Sequence, residues 1–124
     1  MDPNMIMILT VLALILLDII TGVVKAFKDG TFSSSEMRAG LIRKSGTIAL
    51  LFLAYGLQWV SQISPNMPQE LGIVFDGIAA YILIMEIASN VENILSINPE
   101  LGGDSIRGLF GMTKDKDTKD DGKE

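Results

Sequence analysis

Residues 5–24 read MIMILTVLALILLDIITGVV, an apolar run of 20 residues carrying one formal charge, Asp18. At about 1.5 Å per residue a helix of that length covers roughly 30 Å, the hydrocarbon thickness of a bilayer. A carboxylate at mid-depth costs about 2.5 kcal/mol or more when it faces lipid. Thr21, Gly22 and Lys25 follow Asp18 at three, four and seven residues, so all four share one helix face. A membrane helix with such a stripe needs something other than lipid against it.

The other apolar residues of this 124-residue chain fall into two further blocks, with short polar segments between the three. That pattern predicts one all-α membrane domain over residues 1–112, with helices at about 5–27, 45–63 and 69–96. Apolar runs near 20 residues are too long for an ordinary soluble three-helix bundle. Cysteine and histidine are both absent, which removes disulfides, Cys or His nucleophiles and Cys/His metal sites. No enzyme and no cofactor is expected. The leader Met1-Asp2-Pro3-Asn4 has no basic residue and no cleavage signal follows, so the first block reads as a retained helix.

Residues 25–44 hold Lys25, Lys28, Arg38, Arg43 and Lys44 against Asp29 and Glu36, a surplus of three positive charges. Asp29-Gly30 signals a turn with Gly30 closing helix one. Ser33, Ser34 or Ser35 can then cap a short amphipathic helix leading toward Lys44. The second block, 45–63, is uncharged and carries Tyr55 and Trp59 toward its far end, at headgroup level. Gly46, Ala49, Leu53 and Gly56 form a face of little bulk suited to close helix packing. Pro65 and Pro68 close that helix in a short connection.

The third block is amphipathic. Asp76, Ala79, Leu83, Glu86, Asn90 and Asn93 follow a 3–4 spacing, with Ser89 beside them and Glu92 near; Ile78, Ile82, Met85 and Ile87 make the apolar side. The helix either spans or lies in the interface. Asn98-Pro99 ends it, residues 101–112 suit a surface-anchoring element, and the tail 113–124, TKDKDTKDDGKE, is expected to be disordered. Of the ten Lys and Arg, five lie in residues 25–44 and five are Arg107, Lys114, Lys116, Lys119 and Lys123. Three crossings bring both groups to one side, which the positive-inside rule makes cytoplasmic, with the N-terminus outside.

Three uses for the polar stripes remain open from the residues alone. They are glue in a small oligomer, the lining of a pore or lesion that forms when subunits rearrange, or ion sites of a small transporter. The last ranks lowest, since no internal repeat encloses a site. In the glue and pore readings the oligomer or pore-lining face comprises Asp18, Thr21, Gly22, Lys25, Asp76, Glu86, Ser89, Asn90, Glu92 and Asn93. Lys28, Arg38, Arg43 and Lys44 form the basic cytoplasmic loop, and Gly46, Ala49 and Gly56 pack helices.

The ordered words LLDIITGVVKAFKDGTFSSSEMRAGLIRKSG and IMEIASNVENILSINPEL resemble the phage-lysis and toxin-secretion holin family. Its pattern is matched by Asp18, Thr21-Gly22 and Lys25-Ala26, then Gly30, Ser33, Ser34, Ser35, Gly40 and Arg43-Lys44. Glu86, Ser89, Glu92-Asn93 and Pro99 match its third segment. Where that family often has an acid at the end of the second helix, Gln58-Trp59 stands here. The resemblance implies a non-enzymatic homo-oligomer of the bacterial inner membrane that forms lesions for an endolysin or an exported toxin, without necessarily touching it. No nucleic-acid partner is implied. The alternative is a small membrane anchor that recruits a soluble partner through its basic loop.

Overall fold

A computed structural model describes residues 1–103. It contains three long α-helices, α1 (Pro3–Asp29), α2 (Ser34–Ile63) and α3 (Leu71–Ile97), and a closing 3-10 turn at Pro99–Leu101. Each α-helix is long and apolar enough to cross a membrane. The remainder of the expected surface element with Arg107, and the charged tail with its four lysines, lie outside the described residues.

Local chemistry sets the helix ends. The Asp2 side chain accepts from the Asn4 amide at 3.1 Å, and Pro3 stands in the first turn, where its missing N–H costs nothing. Gly30 follows α1 at φ 69°, a left-handed conformation that Gly adopts without a Cβ clash. Its amide donates to Phe27 O and that of Thr31 donates to Ala26 O, closing the orphaned carbonyls. Ser33 is extended and accepts from the Glu36 amide at 3.4 Å, so it starts α2. Phe27 and Phe32 stack at 4.5 Å and clip the hairpin.

The expected pair of segments, a short amphipathic helix and then a span from 45, is in fact one 30-residue helix. Nothing between Ser34 and Lys44 stops a helix; Gly40 weakens it by only about 1 kcal/mol. α3 runs from Leu71, two residues later than expected.

α3 lies at the centre and packs along both other helices, while α1 and α2 meet over little of their length. Ile8, Val11 and Ile15 of α1, Leu51 and Ala54 of α2, and Phe75, Ala79 and Ile82 of α3 are buried together. Ile82 therefore belongs to the core and Ile78 packs against it, not to an outer apolar side, whereas Met85 is exposed as expected. Tyr55 meets Phe75 edge-on at 5.7 Å. The outer surface is largely apolar, with Leu16, Leu53, Ile73 and Ile84 all more than half exposed. In lipid such a surface is stable, because hydrocarbon is as apolar as leucine.

With Ala79 fully buried at the centre, Ala79→Leu overpacks the bundle and should lower stability in detergent micelles by about 1–3 kcal/mol. Ala80→Leu, on the exposed side, should stay within about 0.5 kcal/mol. Unfolding followed by circular dichroism compares the two.

Candidate functional site: an ionic seam at mid-depth

Asp18 stands fifteen residues into α1, and Glu86 stands equally far into α3, which runs in the same direction. Both carboxylates are buried, 8% and 5% exposed, and one shared ammonium brings them together. Lys44 of α2 reaches between them. Its Nζ lies 2.6 Å from Asp18 Oδ2, 2.6 Å from Glu86 Oε1 and 2.7 Å from Glu86 Oε2. One ammonium thus joins all three helices, and it is the chief polar link from α2 to α1.

Hydrogen bonds complete the seam. Ser89 Oγ donates to Asp18 Oδ1 at 2.6 Å and Asn93 Nδ2 donates to the same oxygen at 2.9 Å. Asn93 also donates to Thr21 Oγ1 at 3.1 Å. Gly22 lies beside Asn93: a Cβ there would stand in ordinary contact, 3.7 Å from Asn93 Nδ2. Asn90 Nδ2 donates to Leu14 O at 3.0 Å and Glu86 O at 2.7 Å, pinning α3 to α1 one turn away. At the end of the bundle that carries the basic residues, Lys28 donates to Ser96 O.

The structure thus gathers Asp18, Thr21, Gly22, Glu86, Ser89, Asn90 and Asn93 into one seam inside a single chain. Asp76 and Glu92 do not join it; both are exposed. Ten residues at about 100° each turn Asp76 some 80° from Glu86, and six residues turn Glu92 about 120° away, so 3–4 spacing drifts off the face. Lys25 is half-buried and has no polar partner among the described residues. Of the two residues at the start of the second block, Lys44 turns inward, and Arg43, about 100° around the helix, is exposed. Arg38 is exposed as well. Gly46, Ala49 and Gly56 also face outward, so they pack nothing within this chain.

A second polar group was not anticipated. Gln58 and Ser61 are buried between α2 and α3 near the far end; Ser61 Oγ donates to Gln58 O, and Gln69 Nε2 donates to Ser61 O at 3.1 Å. Their 3–4 spacing from Leu51 and Ala54, both inward, was the available signal.

A cleft of about 390 Å³ opens between α1 and α2 at the basic end, walled by Ile19, Val23, Phe32 and Leu41. Asp18 and Lys44 also line it, and Lys44 keeps 22% of its side chain exposed. The seam is thus open to the cleft on that side. Toward the other end, Val11, Ile15, Leu51, Ala54, Ala79 and Ile82 close the bundle as a dry plug. The single chain is not a channel.

A polar seam inside a three-span, lipid-coated bundle defines a small helical membrane protein whose buried charges hold its helices together. The model of the bacteriophage holin family matches residues 3–102, and the chain belongs to that family, one of non-enzymatic membrane proteins. With three such helices it is a multi-pass protein of the bacterial inner membrane. Neither the curated proteins nor the solved structures contain a match.

Lys44→Met strands two carboxylates and should destabilise the bundle by about 3 kcal/mol or more in micelles. Neutralising all three groups with Asp18→Asn, Lys44→Met and Glu86→Gln together should recover most of that loss. Ser89→Ala, which removes one donor to Asp18, should cost about 1–2 kcal/mol. Unfolding curves of the three variants decide it.

Proposed function

We propose that the chain permeabilises the bacterial inner membrane: copies accumulate as packed bundles, then rearrange into lesions that collapse the membrane potential and release an endolysin or exported toxin. The observation that carries this reading is the sharing of Lys44 by Asp18 and Glu86. Two carboxylates against one ammonium leave a formal charge of −1 at mid-depth, where a charge facing lipid is worth about 2.5–3.5 kcal/mol of instability. Water from the cleft and the hydrogen bonds of Ser89 and Asn93 lower that cost, and a hydrated rim between copies would lower it further. The seam is then glue in the packed state and a wettable surface in the open one. Since the dry plug closes a single chain, the aqueous route runs between copies.

The positive-inside rule supports an orientation with the N-terminus outside and the basic end in the cytoplasm. The cleft then admits cytoplasmic water. A charge moved across the field is worth about 2.3 kcal/mol per 100 mV, so the potential itself is a candidate trigger for the buried charge to respond to. The anchor reading finds less support. Lys28 is engaged with Ser96 and Lys44 is spent on the seam, which leaves of that basic loop Arg38 and Arg43, the latter at the rim of the cleft, for a soluble partner.

Glu86→Gln reduces the seam to a neutral Lys44–Asp18 pair and should stabilise the packed state. In cells expressing the protein, a potential-sensitive dye should report collapse delayed by about fivefold, as a change near 1 kcal/mol implies for a rate. Unchanged timing would remove the seam from the mechanism, and no collapse in cells expressing the unaltered chain would remove the function.

A further inference from the structure

The exposed charged side chains that the seam does not use include Arg43 of α2, at the rim of the α1–α2 cleft, and Glu92 of α3. Both are exposed, and neither has a polar partner among the described residues. Their depths follow from the packing. Lys44 with Glu86, Tyr55 with Phe75 and Gln58 with Gly72 all obey one antiparallel register between α2 and α3. Arg43 is one residue from the seam level, and its guanidinium folds back along the helix, an Nη standing 3.9 Å from the Cβ position of Gly40. That carries its charge about 6 Å from the seam toward the basic end. Glu92 is six residues beyond Glu86, about 9 Å in the same direction, and its side chain leans back toward the seam because helical side chains point to the N-terminus. The two opposite charges therefore occupy one depth, inside the hydrocarbon on the α1 scale, where the apolar run persists to Val24.

Each charge heads an outward stripe. On α2 the stripe is Arg43, Gly46, Leu50, Leu53 and Leu57; on α3 it is Gly77, Tyr81, Ile84, Ala88 and Glu92, all exposed. Copies in one membrane sit at one depth, so the register holds from copy to copy. Gly46 then stands level with Ile84 of a neighbouring copy, Leu53 with Gly77, and Leu50 with Tyr81. At two of these three levels a glycine on one stripe meets a large aliphatic side chain on the other, and a Cβ at Gly46 or Gly77 would meet nothing within its own chain. A two-fold contact of α2 on α2, or of α3 on α3, would instead set like charges together at the same depth.

We infer that the α2 stripe of one copy docks on the α3 stripe of the next, with Arg43 paired to Glu92 across the contact. The surface is head-to-tail: each copy offers one stripe to each of two neighbours, so association continues until a ring closes or a chain runs on. The inference rests on the self-association proposed above and specifies which faces meet. It also gives Gly46 and the exposed side of α3 a purpose that the single chain does not supply.

Because the chain contains no cysteine, disulfide trapping reads this contact directly. Leu53→Cys and Gly77→Cys chains, each full length, are expressed separately and together, and membranes are oxidised before the potential falls. The mixed sample should give a cross-linked dimer; neither chain alone should give one. Arg43→Glu or Glu92→Arg, added to both chains of the mixed sample, should cut the yield by about fivefold, and the two combined should restore it, the size of effect expected for a partly desolvated ion pair. Arg38→Glu, on another face of α2, should leave the yield unchanged. A dimer from the Leu53→Cys chain alone means a two-fold contact and overturns the inference. A yield indifferent to Arg43→Glu overturns it too, and assigns the guanidinium to lipid phosphate. Collapse of the potential without the mixed dimer refutes this interface and leaves the permeabilising function standing, whereas cross-linking without collapse refutes the function alone.

Discussion

Everything in the bundle hangs on a cation shared between two anions. Lys44 comes from the helix with the least contact to α1, and through Asp18 it makes the link that apolar packing barely provides. An ion pair facing water would be worth at most about 1 kcal/mol. At mid-depth the comparison is different, because separating the groups leaves each of them against hydrocarbon. The interaction is thus strong against rupture without being a large net source of stability, since burying its three charges was itself unfavourable. A link of that kind holds firmly until something supplies water, and then yields.

The plug and the cleft set where that water comes from. One half of the bundle is packed with side chains such as Val11, Leu51 and Ala79 that are fully buried, while at the basic end α1 and α2 diverge and leave Lys44 partly wet. The seam sits at the boundary between the two. A chain built this way is closed to flow by itself yet has its least stable element already in contact with solvent on one side. Opening therefore calls for helices to change neighbours, not for a pore to widen inside one copy.

Much of this was legible in the sequence, because the signals were local. The lengths of the apolar runs gave three spans, Gly30 and Ser33 gave the hairpin ends, and the spacing of Asp18, Thr21, Glu86, Asn90 and Asn93 gave two stripes that do face each other. What stayed hidden depended on phase or on a second element. Arg43 and Lys44 are adjacent and both basic, and only the position of α1 and α3 decides which of them turns inward. Asp76 satisfies a 3–4 rule step by step but drifts off the face over nearly three turns, and Glu92, near the stripe in sequence, lies about 120° from Glu86. The second helix looked like two pieces because its composition changes at Lys44, although backbone hydrogen bonding does not respond to polarity. Gly46, Ala49 and Gly56 marked a place for close packing without saying whether the neighbour belonged to the same chain.

That last ambiguity bears on how the fold and the function fit together. Three helices bury only one side of each, and in a membrane no hydrophobic force compels the other sides to be covered. Outward faces can therefore be composed for partners without weakening the protomer. The inward residues of this chain are mostly buried against one another, so they present little surface for recognition between copies. In the function proposed above, contact between copies falls to the outward residues, and the conducting surface falls to the seam. Separating the two tasks on opposite sides of the same helices would let copies gather while the seam stays shut, as the proposed rearrangement into lesions requires.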